Sequence, residues 1–247
     1  MSNKENIIFG IYPVKEALSS QLSFDKVFVQ KGINNDKIDS LVRDLEKENV
    51  SVATVPIEKL NRLTRGNHQG IVALTSPVAF QSLETVVEKA LANSKTPLFL
   101  LLDQITDVRN FGAILRTAEC TGVDAVIIPK SGGAPVSGDT VKTSAGAIFK
   151  IPICKVDHIK DAIFYLQASG ITTLAATEKT NNTIYTVDMT VPLALIMGSE
   201  ERGVSHSVLG LVDQKAALPL LGEINSLNVS VACGAFLYEI VRQRITS

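Results

Sequence analysis

Four short apolar runs constrain this chain more than any other feature: Leu98-Phe-Leu-Leu-Leu102, Ala125-Val-Ile-Ile128, Ile171-Thr-Thr-Leu-Ala-Ala176 and Leu193-Ala-Leu-Ile-Met197. Runs this short and free of charge suit strands of a parallel sheet covered on both faces. Helices are expected around them at 110–121, 139–148, 158–169, 205–212 and 226–244. Such strand–helix alternation implies a doubly wound α/β sheet. The last helix is the clearest, since apolar residues fall at 229, 232, 233, 236, 237, 240 and 241, a stripe of helical period. Asn225 or Ser226 is placed to cap it.

Residues 7–76 form a separate alternating series. Pro13 opens a short helix to Leu18, Lys26–Gln30 reads as a strand and Asp36–Asn49 as a helix. Val50–Val55 is strand-like, Pro56–Leu63 helical and Gly70–Leu74 a last strand. The 247 residues therefore divide into a small α/β domain over 1–76, a connector over 77–96 carrying one amphipathic helix, and a larger α/β domain over 97–247. The loop Asn61-Arg-Leu-Thr-Arg-Gly-Asn-His-Gln-Gly70 gathers Arg62, Arg65, Asn67 and His68, side chains that either contact phosphates and base edges or line a solvated loop.

With 24 basic and 25 acidic residues, net charge −1 does not advertise nucleic acid, so an RNA partner would be held by a local patch. Cys120, Cys154 and Cys233 lack Cys-x-x-Cys spacing and read as buried thiols in a reducing compartment. His68, His158 and His206 are scattered, so no metal site is expected. Neither a signal-peptide core nor a membrane-length apolar run is present, and a cytosolic location is expected.

Three polar clusters follow apolar segments. The first spans Asp103–Ala118, where Arg109, Gly112 and Arg116 would share a helix face opposite Phe111, Ile114, Leu115 and Ala118. Arginine suits bidentate phosphate contact, and Gly112 would let an anionic partner approach the backbone closely. The second is Met197-Gly-Ser-Glu-Glu-Arg-Gly-Val-Ser205. Its Glu200 and Glu201 disfavour a polyphosphate and suit a hydroxyl donor or a cationic ligand. The third, Leu218–Ser230, crowds Ser226, Leu227, Asn228 and Ser230 at the start of the last helix. No Gly-x-Gly-x-x-Gly follows the first strand, so a dinucleotide site is disfavoured. Gly133–Thr140 has P-loop glycine spacing but Asp139 in place of the lysine, and no Gly-x-Ser-x-Gly elbow occurs.

Together, Asn110-Phe-Gly-Ala-Ile-Leu-Arg116, Met197-Gly-Ser-Glu-Glu-Arg-Gly203 and Leu218-Pro219 through Ser226-Leu-Asn-Val-Ser230 resemble the three motifs of the SpoU/TrmH family of RNA ribose 2′-O-methyltransferases, in the SPOUT superfamily. Residues 7–76, with Gly10–Ala17 and Asn67-His-Gln-Gly70, are similar to the family's substrate-binding domain, which has an L30e/L7Ae-like fold. Asp107-Val108 departs from the Asp-Pro of many members. The resemblance implies a C-terminal domain with a deep trefoil knot and S-adenosylmethionine as cofactor, held mainly by backbone groups that match Gly198, Leu218 and Leu227, with Thr177 in addition. It implies catalytic roles for Arg116, Asn110, Glu200, Ser226 and Asn228, RNA contacts from the 61–70 loop and Arg109, and a homodimer. Arg116 is implied as the base that deprotonates the ribose hydroxyl, or, more easily for a guanidinium, as phosphate clamp and electrostatic stabiliser. The implied substrate is a guanosine ribose in 23S ribosomal RNA. The alternatives are a transfer RNA, or a non-catalytic RNA-binding protein retaining the fold.

Overall fold

The computed structural model describes residues 6–224 and 226–246. The chain divides into two compact units: one runs to Ala79 and includes Pro135–Asp139, and the other comprises Phe80–Ala134 and the chain from Thr140 onwards.

In the first unit the order is β1 (Ile7–Phe9), α1 (Ile11–Ser19), β2 (Phe24–Gln30), α2 (Asp36–Lys47), β3 (Val52–Val55), α3 (Ile57–Leu63) and β4 (Ile71–Thr75). The sheet order is β1-β4-β2-β3, with β2–β3 parallel and the other pairs antiparallel. Successive side chains of a strand point to opposite faces. Val27, Val29, Ile71 and Ala73 accordingly pack with α1 and α2 through Val14, Ile38 and Leu45, whereas Phe28 and Val72 pack with Leu60 of α3 on the other face. β1 was not expected from the sequence. Its three residues, Ile-Ile-Phe, are too few to display a period.

The second unit opens with α4 (Leu83–Asn93) and continues β5 (Leu98–Leu102), α5 (Val108–Cys120), β6 (Ala125–Pro129), α6 (Gly138–Thr143), β7 (Ile153–Val156), α7 (Ile159–Ala168), β8 (Thr172–Ala176), β9 (Leu193–Met197), α8 (His206–Leu209), β10 (Gln214–Ala216) and α9 (Val229–Ile245). α6 starts within the Pro135–Asp139 segment of the first unit. All strands here pair in parallel, in the order β10-β8-β9-β5-β6-β7. Every residue of β5 and β9 is buried, as uninterrupted apolar strands require at the centre of a covered sheet.

The amphipathic helix expected within 77–96 is α4, whose Leu83, Val86, Val87 and Ala90 belong to the core of the second unit with Phe99, Ile127 and Ile163. Two expectations are corrected. The helix expected at 139–148 ends at Thr143, because Ala145 and Gly146 take left-handed conformations (φ 50° and 83°) before a 3-10 turn. Cys154 and Cys233 are buried, which pushes their thiols up to about 12, but Cys120 is exposed.

The far end of α9 is latched by Arg244. Its guanidinium donates to the carbonyls of Thr96 (2.8 Å), Met189 (3.1 Å) and Val191 (2.9 Å), the segments leading into β5 and β9. Replacing it by methionine orphans three part-buried acceptors, so Arg244→Met is expected to lower unfolding stability by on the order of 2–3 kcal/mol in urea titration. A loss below about 0.5 kcal/mol would mean that water satisfies those carbonyls without the latch.

Candidate active site

From β5 the chain moves outward to β6 and β7, then returns to β8 and lays β9 between β8 and β5. The carboxyl ends of β5 and β9 are thus neighbours at the point of reversal, where open α/β sheets form their ligand crevices. The first polar cluster leaves β5 there and the second leaves β9. Asp103, buried just past β5, accepts the Ser205 N–H at 2.8 Å and donates its own N–H to the Met197 carbonyl at 2.8 Å. One carboxylate therefore fixes the two loops side by side.

Asp107 starts α5 by accepting the N–H groups of Arg109 (2.8 Å) and Asn110 (2.9 Å). With the helix begun at Val108, Arg109 and Arg116 both stand exposed on it, and Arg116 makes no ion pair among the described residues. Gly112 does not share that role. It is buried, and a Cβ there would overlap the Thr143 side chain. Its function is close packing of α5 rather than admission of an anion.

The second cluster is a tight loop. Ser199 and Gly203 exchange backbone hydrogen bonds of 3.2 and 2.8 Å. Gly203 has φ 66°, and a Cβ on Gly198 would overlap the Gly203 and Val204 backbone. Two glycines thereby present Glu200 at the loop tip.

The third cluster meets the other two through one amide. The Asn228 Nδ2 group donates to Asn110 Oδ1 at 3.1 Å and to the carboxylate of Glu200. Its Oδ1 accepts Ser230 N–H at 3.0 Å and Val231 N–H at 3.4 Å, capping α9. The cap is therefore Asn228, and the chain at 226–228 lies outside the helix. The competing candidate Asn225 lies outside the described residues, and Ser226 is exposed without capping the helix. Below the cap, Val229, Cys233, Phe236, Leu237 and Ile240 are buried, and α9 packs on α5.

Three of the four residues expected to hold a cofactor follow strands β8, β9 and β10, and the fourth, Leu227, precedes α9. Gly198 follows β9, Thr177 follows β8, and Leu218 lies two residues beyond β10. The described residues of 218–224 and 226–227 make no backbone–backbone hydrogen bond among the described residues, so they have amides and carbonyls to offer. Among them Leu221 is 99% and Ile224 79% exposed. The Thr177 hydroxyl, by contrast, is taken up by the Lys179 N–H.

In the first unit, Arg62, Arg65 and Asn67 are exposed. His68 is a correction. It is buried, its Nδ1 accepts Gly70 N–H at 3.0 Å, and its Nε2 pairs with Asn61 Oδ1 at 3.0 Å, so the ring organises the loop. Gln69 accepts the Ile11 N–H at 3.3 Å, and Gly10 donates to the Ile71 carbonyl at 3.1 Å, which joins the 10–17 and 67–70 segments.

The sequence matches the model of the SpoU rRNA Methylase family over residues 97–238, and that for RNA 2′-O ribose methyltransferase substrate binding over residues 7–81. The chain belongs to the SpoU/TrmH family of RNA methyltransferases. A Staphylococcus epidermidis protein assigned to the TrmH family of tRNA/rRNA methyltransferases is 34% identical over 96% of both chains. Two solved structures share the fold. The SpoU methyltransferase AviRb of Streptomyces viridochromogenes, in complex with AdoMet, is 22% identical with a TM-score of 0.63, covering 98% of this chain and 91% of that one. An AdoMet-bound rRNA methyltransferase of Sinorhizobium meliloti is 23% identical with a TM-score of 0.62, covering 96% and 87%. Among the described residues no helix is long and apolar enough to cross a membrane, and no His, Cys, Asp and Glu cluster could hold a metal ion.

Proposed function

We propose that the chain uses S-adenosylmethionine to methylate the ribose 2′-hydroxyl of a guanosine in 23S ribosomal RNA. The observation that carries this reading is the Asn228 amide, which ties Asn110 and Glu200 together beside the helix that presents Arg116. Three separated segments are thereby held around one polar centre. The cofactor fits the residues present: the described backbone at 218–224 and 226–227 makes no backbone–backbone hydrogen bond and can offer donors and acceptors to it. When bound, it supplies a methyl group activated by a sulfonium centre. The AdoMet-bound structures of the two bacterial neighbours support this choice.

A ribose hydroxyl is a poor nucleophile and needs alignment and removal of its proton. Arg116, with Arg109 on the same exposed surface of α5, clamps the adjoining phosphate and stabilises developing negative charge on the ribose oxygen. Glu200, fixed by Asn228, accepts a hydrogen bond from the ribose, with Ser226 two residues before Asn228 as a further polar contact. Arg62, Arg65 and Asn67 hold the RNA on the first unit. We further propose a homodimer in a cytosolic setting. Val231, Tyr238 and Ile245 recur every seven residues on the exposed side of α9, which together with exposed Leu221 and Ile224 leaves apolar surface for a second copy. Tyr238→Asp is expected to convert dimer to monomer in sedimentation. An unchanged mass for that variant would place the dimer contact elsewhere.

Substrate choice is tested by offering unmodified ribosomal RNA and bulk transfer RNA side by side and mapping the product by ribose-methylation-sensitive reverse transcription. A single 2′-O-methylguanosine in large-subunit RNA is expected. Modification of transfer RNA alone would keep the chemistry and replace the substrate.

A further inference from the structure

One feature of the first unit is used by neither the fold nor the methyl-transfer centre. Tyr12 is 64% exposed at the start of α1. The Lys37 ammonium donates to its phenol oxygen at 2.9 Å and lies 5.2 Å from the ring centroid. That hydrogen bond holds the phenol below its ordinary range. The pair forms one side of an open cleft of about 520 Å³, lined also by Ile11, Asn35, Asp36 and Gln69. Two of these liners are already half engaged. Asn35 Oδ1 accepts the Lys37 N–H at 3.0 Å and Gln69 Oε1 accepts the Ile11 N–H at 3.3 Å. Their amide NH₂ groups have no partner among the described residues, so each keeps donors to offer.

We propose that this cleft is a docking site for one unpaired base of the RNA substrate, stacked on Tyr12. The proposal rests on the RNA-methyltransferase reading and adds a subsite to it. An aromatic face accepts any base, and a cation at its edge suits the adjoining phosphate. The Asn35 and Gln69 amides donate to carbonyl or ring-nitrogen acceptors on a base edge, and the Asp36 carboxylate accepts from an exocyclic amine. A paired base keeps its faces inside the stack, so the cleft selects single-stranded RNA.

The chain contains no tryptophan, so Tyr12→Trp creates a single fluorophore at the cleft. Titration with a short single-stranded RNA of mixed sequence is expected to quench it, and the duplex of the same sequence to leave it bright. Tyr12→Ala is expected to raise the KM for RNA by roughly five- to a hundredfold, with kcat and cofactor binding unchanged, while Tyr12→Phe restores the wild-type KM. Because the ring is exposed, these variants keep the fold. Equal quenching by duplex, no quenching in a protein that still binds RNA, or a wild-type KM for Tyr12→Ala would each overturn the stacking site and leave methyl transfer standing. Failure of the unaltered chain to bind any RNA would instead bring down the underlying reading, and the subsite with it.

Discussion

Arg116→Ala is expected to lower kcat for methyl transfer by roughly a hundred- to a thousandfold, the usual cost of removing a preorganised group that stabilises charge in the transition state. Cofactor affinity should be nearly unchanged, because the candidate cofactor residues lie past the ends of β8, β9 and β10 and just before α9, not on α5. Stability should also hold within about 0.5 kcal/mol, since the side chain is exposed and makes no ion pair among the described residues. That combination separates a catalytic role from a structural one. Arg116→Lys keeps a charge but loses the forked geometry, so it should recover only part of the rate. Normal turnover by the alanine variant would remove Arg116 from the centre.

Gly198→Ala should be nearly as damaging for a different reason. The added methyl meets the Gly203 and Val204 backbone rather than the end of a flexible side chain, so the loop itself has to move. Overpacking of this kind costs about 1–3 kcal/mol. Moving the loop also withdraws Glu200 from Asn228 and disturbs the backbone beside the candidate cofactor segment. Loss of cofactor binding and loss of turnover are therefore expected together, with a lowered midpoint of thermal unfolding. Gly222→Ala is the control. It has nothing within 4 Å of the added carbon and should leave the midpoint where it is. Equal, small effects of the two substitutions would show that the 199–203 loop is not held as described.

How far the sequence speaks depends on the element. β5 and β9 were readable to the residue, because a strand buried on both faces has no polar position to blur its ends. β7 and β10 lie at the sheet edges, where Lys155 and Gln214-Lys215 interrupt the apolar pattern, and they were not anticipated. The core stripe of α9 was legible from its period, but its start was not. Asn225, Ser226 and Asn228 all suit a cap by residue type, and the fold shows the Asn228 carboxamide oxygen receiving the Ser230 and Val231 N–H groups. Gly112 and His68 illustrate the converse. Each sits in a motif rich in candidate contacts, yet burial decides what it does, and burial depends on how the folded chain closes around the position: Thr143, distant in sequence, against the glycine, and Asn61 and Gly70 of the same loop against the imidazole. The sequence assigns Asp103 and Asp107 no role of their own. Their roles are to receive N–H groups whose positions exist only in the folded chain.

The measurement that bears most directly on this account is transfer of labelled methyl from S-adenosylmethionine to unmodified RNA, followed by digestion to nucleosides. Label on a 2′-O-methylated nucleoside, dependent on Arg116, is the expected result. Label on a base, or none on RNA that the chain binds together with the cofactor, would contradict it.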